Sequence, residues 1–334
     1  MTPLPTVLVV LFFSWFSATL AASPSSSYKK PSPPSPPSLP VKCPVVFDGR
    51  VPRSTTLKFF DTDDSFFNPN YTKGENLPWS QILTFPTVPV SKFDAIATKP
   101  SKPDPHLKPT QPYAFKSLQV SINDSSIFVP GGGSRQVGFR RAGLLAGNGS
   151  DAQNVGVKTF HWSVRQPAHL KLNLTHEYMF VWHEANDYAS NQFSINAGVM
   201  LAQDDPKESV GGNYTGKTNV HLPKNLWKVL DRKNNVIWKG PMKAKVWENF
   251  AITLDYERDR LRVYYSIGND KLKAVTNWIK QDNSGGGQFQ IGIAKKPTET
   301  VSVVFDGYHE SGIHEAQIYG GIFVEDSKGG CLSA

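Results

Sequence analysis

Two glutamates and two histidines bracket an apolar run of the sequence, THEYMFVWHE, at residues 175–184. Carboxyl and imidazole groups are the side chains most often used for general acid–base chemistry. Because side chains alternate between the faces of a β-strand, Glu177 and Glu184 point to opposite faces unless a bulge intervenes. They also lie about 23 Å apart along a strand, whereas the two carboxylates of a glycosidase lie about 5 to 10 Å apart. A second acid must therefore come from another element.

Every second residue inside this run is aromatic, and such rings suit either a core or a ligand-binding groove. One face of an ideal strand holds His176, Tyr178, Phe180, Trp182 and Glu184, and the other holds Glu177, Met179, Val181 and His183. Core packing is the commoner role for these rings, and Glu177 and His183 then look into a groove on the other side. If the rings line the groove instead, they stack on sugars and Glu184 is the acid.

Short runs of β-branched and aromatic residues, bounded by Gly, Asn, Asp and Pro, dominate the sequence after residue 43 and predict strands. The predicted strands are SLQVSI, VKTFHWSVR, HEYMFVWHE, QFSINAGVML, NFAITLDYE, RLRVYYSI, GQFQIGIA and IYGGIFVE. Residues 252–265 have the pattern of a hairpin, and residues 271–280, KLKAVTNWIK, are the candidate for a short helix. Many strands without intervening helices predict an all-β fold, a two-sheet antiparallel sandwich or jelly roll.

The N-terminal region differs from the rest of the chain. Residues 1–22 carry no charge, contain an apolar run and end in small residues, which predicts a secretory signal peptide. Residues 23–42 are rich in Pro and Ser and predict an extended linker. Residues 43–334 are even in composition and predict a single domain. We therefore expect a secreted monomer that does not associate with a membrane once the signal is cleaved.

Two further features fit an extracellular location, with the cell wall as one destination. The two cysteines of the sequence, Cys43 and Cys331, lie near the ends of the predicted domain, and in an oxidising compartment we expect them to form a disulfide. Candidate N-glycosylation sequons occur at Asn70, Asn123, Asn148, Asn173 and Asn213. Each of these asparagines would occupy a surface position if it carries a glycan.

Several classes of function are disfavoured by the sequence. The net charge is +8, but the basic residues are scattered and export argues against a nucleic-acid partner. His176 and His183 fall on opposite faces of one strand, so their spacing predicts no zinc site. The stretches GGGS and SGGG lack the strand–loop–helix setting of a phosphate loop and are expected to be turns. We expect no required cofactor, with a structural calcium ion as the one metal left open.

Blocks along nearly all of residues 43–334 resemble the fungal glycoside hydrolase family 131 β-glucanases. The blocks are VVFDGRVP, KGENLPWSQILTFP, SIFVPGGG, FRRAGLL, GVKTFHWSV, THEYMFVWHE, WENFAITLDYE, VYYS, DNSGGGQFQIGIAKKP and ESGIHEAQIYGGIFVEDSKGGCLS. The resemblance implies a secreted β-jelly roll of the concanavalin-like type. It also implies hydrolysis of β-1,3-, β-1,6- and β-1,4-linked glucans by glutamates in an open cleft.

The chain departs from this family pattern at two positions. FRRAGLL has Gly143 where the resemblance implies a catalytic glutamate. WENFAITLD has Glu248 where the family usually has histidine, so Glu248 is a candidate replacement for the missing carboxylate. The family's second glutamate falls, by spacing, between Glu177 and Glu184. We favour Glu177, because it lies in the THEY block, and place Glu184 second.

Other residues are expected to line the substrate cleft. Arg141, Gly143, Trp182 and His183 are the predicted substrate-binding positions. Arg140 and Arg141 either orient a carboxylate and sugar hydroxyls or form structural ion pairs. Glu310 and Glu315, in YHESGIHEAQ, are further cleft candidates, with a rim or loop position as the alternative.

The sequence thus predicts a secreted β-glucan hydrolase with a two-carboxylate mechanism and one expected glutamate replaced by glycine. General acid–base catalysis typically contributes about 100- to 10,000-fold, so hydrolysis should be weak unless another carboxylate reaches the space above Gly143. The alternative is a lectin-like, glucan-binding cell-wall protein that kept the cleft and lost the chemistry. A structural wall protein is the third interpretation.

Overall fold

The computed structural model describes residues 42–95, 115–131, 133–147, 153–200, 222–300 and 303–333. The predicted signal peptide and nearly all of the predicted linker lie outside these residues, as do the sequons at Asn148 and Asn213. Among the other sequons, Asn70 is exposed, whereas Asn123 and Asn173 are half-buried. Within the described ranges, no helix has the length and apolar character needed to cross a membrane.

Two antiparallel sheets form the body of the protein. The larger sheet has the order β14 (Lys273–Ala274), β13 (Arg260–Ile267), β12 (Glu248–Asp255), β7 (Val157–Arg165), β17 (His314–Asp326), β5 (Leu118–Asn123), β3 (Leu83–Thr84). Two more strands pair with members of this sheet: β1 (Val45–Asp48) with β17, and β15 (Ile279–Lys280) with β13. The smaller sheet has the order β11 (Val236–Pro241), β10 (Leu226–Asp231), β9 (Asn191–Gly198), β8 (Glu177–Glu184), β16 (Gln288–Lys295), β6 (Arg140–Leu145). These sheets confirm the predicted all-β sandwich.

Short elements lie outside the two sheets. A separate two-stranded pair is formed by β2 (Val51–Pro52) and β4 (Phe115–Lys116). An α-helical turn, α1, spans Trp79–Ile82, and 3₁₀ turns span Leu57–Asp61 and Lys328–Gly330. The described part of the chain therefore contains very little helix, as the strand-rich sequence predicts.

The predicted hairpin is confirmed, but the predicted short helix is wrong. Strands β12 and β13 pair along their whole length, from Glu248 opposite Ile267 to Asp255 opposite Arg260. Residues 271–280 instead form β14 and β15, which both pair with β13. The backbone N–H of Val275 donates to the carbonyl of Val263 at 2.9 Å, so this segment bonds to a strand rather than to itself. Its β-branched and Asn residues also favour an extended backbone over a helix.

Aromatic rings from both sheets fill the space between them. Trp162 of β7 stacks on Phe193 of β9, with ring centroids 6.0 Å apart, and on Phe250 of β12, at 5.8 Å. All three side chains are fully buried. Burial of such large apolar surfaces is the main driving force for folding, and these contacts lock the smaller sheet onto the larger one.

A β-bulge interrupts β8 near its middle. The register shifts between Met179 and Val181 relative to β9, so Phe180 and Val181 both enter the core. The hydroxyl of Tyr319, from β17 of the opposite sheet, lies 3.1 Å from the carbonyl oxygen of Phe180 and 2.5 Å from that of Gly292. The bulge reverses the alternation of side chains in the second half of β8. Glu177 and Glu184 consequently share one face, the outcome that ideal alternation excludes.

The predicted disulfide joins the ends of the described domain. Cys43 and Cys331 are bonded, with their Cα atoms 5.8 Å apart and a sequence separation of 288 residues. The segment after Cys331 also contacts the start of the domain, because the backbone N–H of Lys42 donates to the Ser333 hydroxyl at 2.9 Å. Strand β1 pairs with β17 directly beside this junction.

Candidate active site

The outer face of the smaller sheet, meaning the face turned away from the core, is the candidate active site. On β16, Phe289, Ile291 and Ile293 enter the core, so Gln290 points outward. After the bulge, Trp182 and Glu184 of β8 point to the same side as Gln290. The residues of this outer face that bear on the site are Gly143 and the polar or aromatic residues Arg141, Glu177, Trp182, Glu184, Asn196 and Gln290.

Glu184 is a half-buried carboxyl group at the end of β8. The side-chain amide of Gln290 donates to its Oε2 atom at 2.9 Å. Burial raises the pKa of Glu184, while the positive charge of Arg141 and the Gln290 hydrogen bond oppose the rise. A carboxyl group with a raised pKa retains its proton closer to neutral pH, as a general acid requires.

Arg141 is the cation beside Glu184. Its Nη2 atom donates to Oε1 of Gln136 at 2.6 Å, and its guanidinium group lies 4.7 Å from the ring centre of Phe128. These contacts fix the guanidinium plane, and burial lowers the pKa of Arg141 while the Glu184 carboxylate raises it. Arg140 instead donates to the backbone carbonyls of Val137 and Phe139. Of the two neighbouring arginines, Arg141 is the one whose charge acts on Glu184.

Two tyrosines that the sequence did not single out lie close to Glu184. The pKa of Tyr71 is raised by burial, by a hydrogen bond with Tyr188 and by the negative charge of Glu184. The ring of Tyr188 is 60% exposed. The loop that carries Tyr71 is held to β6, because the N–H of Gly143 donates to the carbonyl of Thr72 at 2.8 Å. A short polar turn around an exposed aromatic residue, NDYAS, was the sequence signal for Tyr188.

Gly143 lies beneath the indole ring of Trp182. A Cβ atom added at Gly143 would lie 2.6 Å from Cη2 of Trp182 and 3.0 Å from Oε1 of Gln290. Trp182 pairs with Gln290 on β16, and Gly143 pairs with Gly292 on the same strand, so the ring reaches across β16 to cover Gly143. The space where the family pattern predicts a carboxylate is therefore filled by an aromatic ring.

Glu177 lies on the same face as Glu184 but is fully buried. Its Oε1 atom accepts hydrogen bonds from Nζ of Lys296 at 2.6 Å and from Nδ2 of Asn196 at 2.7 Å. Burial lowers the pKa of the nearby Lys228 amine to about 8, and the negative charge of Glu177 opposes this lowering. Glu177 thus belongs to a buried ion-pair network at the opposite end of β8 from Glu184.

Glu248 and His183 lie on the inner sides of the sheets rather than on the outer face. Glu248 of β12 accepts hydrogen bonds from Nε1 of Trp227 at 2.8 Å and from the hydroxyl of Tyr265 at 2.6 Å. The ring of His183 packs edge-on against Phe160 at 5.0 Å, and burial lowers the pKa of His183 to about 3. The structure does not bring either residue to Glu184.

Glu310 and Glu315 lie together around Lys295. The ammonium group of Lys295 donates to Oε1 of Glu310 and, at 2.8 Å, to Oε1 of Glu315. The hydroxyl of Tyr178 donates to Oε2 of Glu315 at 2.8 Å. Because Tyr178 points into the core at the start of β8, this cluster also lies away from Glu184.

Jelly rolls of two antiparallel sheets include lectin domains. The outer face of this sheet carries a carboxyl group, a guanidinium group, the exposed phenol ring of Tyr188 and the half-buried ring of Tyr71. A sequence model of the glycoside hydrolase 131 catalytic N-terminal domain matches residues 45–330. The chain therefore belongs to glycoside hydrolase family 131, which confirms the resemblance found in the sequence.

Among the solved structures that resemble this chain are two domains of the same family. A GH131 β-glucanase catalytic domain from Podospora anserina has a TM-score of 0.59 at 16% identity, covering 84% of this chain and 96% of that one. The catalytic domain of a glycoside hydrolase family 131 protein from Coprinopsis cinerea has a TM-score of 0.57 at 15% identity, covering 87% and 98%. No curated protein sequence matches the chain.

Proposed function

We propose that this chain hydrolyses β-glucan on the outer face of its smaller sheet, with Glu184 as the acid–base residue. The observation that carries the proposal is the half-buried Glu184 carboxyl group, held by Gln290 beside the guanidinium of Arg141. Family membership supports glycoside hydrolase chemistry in general, and the relative from Podospora anserina is a β-glucanase. All groups in this proposal are side chains of the chain itself.

Each residue around Glu184 has a role that follows from its chemistry. The protonated carboxyl group donates to the glycosidic oxygen, or the carboxylate accepts a proton from an attacking water. Arg141 stabilises the carboxylate and offers N–H donors to sugar hydroxyls. Tyr71 and Tyr188 provide ring faces for sugars together with hydroxyl groups for hydrogen bonds. Glu177 is less suited to proton transfer, because Lys296 and Asn196 already bind its Oε1 atom.

A second candidate function, glucan binding without hydrolysis, is favoured by one observation. The indole ring of Trp182 covers Gly143, where a paired carboxylate would stand. The ring occupies the space of an acid or base, and it is itself buried, so sugar contacts must come from other residues. Loss of one acid–base group lowers a rate by about 100- to 10,000-fold. If the protein is a hydrolase, its turnover should therefore be slow.

Reducing-sugar release from laminarin, pustulan and barley β-glucan tests both functions. Four proteins are compared: wild type, Glu184→Gln, Glu177→Gln, and Glu257→Gln as a control at an exposed turn. We expect slow release by the wild type and the control, and a loss of at least 100-fold in Glu184→Gln. Activity that survives in Glu184→Gln and disappears in Glu177→Gln, with both variants folded, would reassign the acid–base residue to Glu177.

Binding of the same four proteins to insoluble β-glucan separates the enzyme from the binder. If the wild type releases no reducing sugar but still sediments with the polysaccharide, the protein is a glucan-binding protein. In that case Tyr188→Ala should weaken binding, because it removes the exposed ring beside Glu184. A protein that neither binds nor cleaves any of the three glucans contradicts both functions.

We further propose that the mature protein is secreted as a monomer, without residues 1–22 and without membrane association. The Cys43–Cys331 bond supports an oxidising destination. N-terminal sequencing of protein from the culture medium should find a chain that begins near Ser23, and gel filtration should give the monomer mass. Accumulation inside the cell with residues 1–22 attached would contradict the proposal.

A further inference from the structure

Two histidines and a glutamate from distant parts of the sequence meet beside the start of β8. His176 immediately precedes β8, whereas His309 and Glu310 lie in the segment that leads to β17. Nε2 of His176 is 2.9 Å from Oε2 of Glu310, and one ligand atom from each of the three residues lies within 4.8 Å of the others. The rings of His176 and His309 stack with centroids 5.2 Å apart. The cluster is thus compact enough to surround a single ion.

Backbone carbonyls fix the proton on each imidazole ring. Nδ1 of His176 lies 2.8 Å from the carbonyl oxygen of Lys296, and Nε2 of His309 lies 2.7 Å from that of Gly138. A carbonyl oxygen can only accept, so these two nitrogens carry the hydrogen. In a neutral ring the other nitrogen then presents a lone pair. Metal-binding histidines in proteins are commonly anchored in this way, through the ring nitrogen that does not bind the metal.

Two acceptor atoms in the cluster face the same point. Nδ1 of His309 is buried and has no hydrogen-bond partner within the described ranges, and Oε2 of Glu310 faces Nε2 of His176 at 2.9 Å. The other carboxylate oxygen of Glu310, Oε1, accepts from Lys295 and, at 2.9 Å, from Nδ2 of Asn173. These contacts hold Oε2 toward the two rings. Buried acceptors that face one another are unfavourable unless a donor or a cation lies between them.

We propose that His176, His309 and Glu310 bind a divalent transition-metal ion of the Zn²⁺ type through Nε2, Nδ1 and Oε2. Two imidazole nitrogens and one carboxylate oxygen are a common zinc ligand set, whereas Ca²⁺ and Mg²⁺ prefer oxygen ligands alone. Lys295 pairs with Glu310 and also with Glu315, so one positive charge faces two carboxylates. The positive charge of Arg140 also acts on His309, so the geometry of the three ligand atoms, rather than net charge, is what favours a cation.

The bound metal would join three parts of the chain. His176 leads into β8, His309 and Glu310 lead toward β17, and Gly138, which accepts from His309, lies just before β6. The metal would clamp these segments together and stabilise the start of β8. This role is independent of glucan hydrolysis at Glu184, which lies at the other end of that strand.

Calorimetric titration of the chelator-treated full chain with Zn²⁺ tests the site. We expect one Zn²⁺ per chain for the wild type, and at least tenfold weaker binding for His309→Ala and Glu310→Gln. His169→Ala, at an exposed histidine outside the cluster, is the control and should bind as the wild type does. His309→Gln replaces His309→Ala if the alanine variant does not fold, which near-ultraviolet circular dichroism will show.

A second measurement distinguishes this site from adventitious surface binding. Zn²⁺ should raise the melting temperature of the wild type and of His169→Ala, but not that of Glu310→Gln, because a ligand stabilises only the folded state that binds it. Co²⁺ in place of Zn²⁺ should give visible absorption bands that Glu310→Gln lacks. The proposal is overturned if the wild type binds neither ion, or if Glu310→Gln and the His309 variant bind Zn²⁺ as tightly as the wild type.

Discussion

At the scale of single residues, the glycine at position 143 and the placement of the Trp182 ring depend on each other. An added Cβ atom would lie 2.6 Å from the indole ring, closer than atoms that are not bonded can approach. A glutamate at this position therefore requires that the ring move or be removed. Introducing by one substitution the carboxylate that the sequence resemblance predicts here would strain the sheet rather than build a two-carboxylate site.

A double-mutant cycle measures this dependence. Gly143→Glu alone should lower the free energy of unfolding by about 1 to 3 kcal/mol, as overpacked substitutions do. In a protein that also carries Trp182→Ala, Gly143→Glu should lower the free energy of unfolding much less. The two substitutions should therefore show a favourable coupling energy of at least about 0.5 kcal/mol. Urea unfolding of the four proteins measures it. Strictly additive effects would mean that the ring moves freely out of the way.

The buried carboxyl group of Asp94 should make stability depend on pH. Burial raises its pKa to about 6 from an ordinary value of 3.8, against hydrogen bonds from Gly321 and Ser91 and the charge of Arg50. Because the folded state holds this proton more tightly than the unfolded state does, Asp94 contributes most stability below pH 3.8 and loses it as pH rises through 6. The loss amounts to about 3 kcal/mol, since one pKa unit corresponds to about 1.4 kcal/mol.

Asp94→Asn should remove this dependence. The difference in unfolding free energy between wild type and Asp94→Asn is expected to fall from about pH 4 to about pH 6 and then to level off. Asp270→Asn, at an exposed position, provides the control curve. A difference that stays constant, or that grows with pH, would show that Asp94 is ionised throughout this range.

At the scale of elements, the bulge in β8 decides which residues reach the outer face. The hydroxyl of Tyr319 lies beside the bulge, within hydrogen-bond distance of the carbonyls of Phe180 and Gly292. Without the bulge, the side chains of Trp182 and Glu184 would both point into the core. We therefore expect Tyr319, a residue of the opposite sheet, to help position the site.

Tyr319→Phe should destabilise the protein by about 1 to 3 kcal/mol, because it removes a hydroxyl donor that is buried between the two sheets. Hydrogen exchange should accelerate in β8 and β16 before other strands of the smaller sheet. Tyr264→Phe, at a half-buried ring on β13, is the matched control. A change below about 0.5 kcal/mol with unaltered exchange would mean that the bulge is stable without this hydroxyl.

The sequence predicted the strands better than it predicted their faces. Alternating β-branched and aromatic residues suffice to locate β7, β8, β12, β13, β16 and β17, because their pattern is local. The bulge left no such signal, since Phe180 and Val181 are both apolar and either one suits the core. Strict alternation consequently placed Glu177 and Glu184 on opposite faces and gave His183 a position in the groove.

The spacing of residues in the sequence could not predict contacts between segments that are far apart in the chain. Tyr71 approaches Glu184 from a loop that is held to β6, and His309 reaches His176 from the far end of the chain. The proposed catalytic roles of Glu177 and Glu248 rested on family blocks, which identify a strand but not its partners in the fold. The structure shows these partners as Lys296 and Asn196 for Glu177, and Trp227 and Tyr265 for Glu248.

At the scale of the whole molecule, the disulfide between Cys43 and Cys331 should contribute strongly to stability. In the chain-entropy model, closing a loop of 288 residues stabilises the folded state by up to about 5 kcal/mol. Replacing both cysteines by serine should therefore lower the guanidinium midpoint, as should reduction of the wild type. If the double variant unfolds at the wild-type midpoint, pairing of β1 with β17 is sufficient to hold the ends together.

The same junction has a consequence for how this domain can be combined with others. The Cα atoms of Cys43 and Cys331 are 5.8 Å apart, close to the spacing of about 5.5 Å between paired residues on neighbouring antiparallel strands. A host protein could therefore accept the domain inside a single hairpin loop without separating the two strands that flank it. In such a chimera the domain would be a removable insert, and cleavage of its two junctions would release it folded.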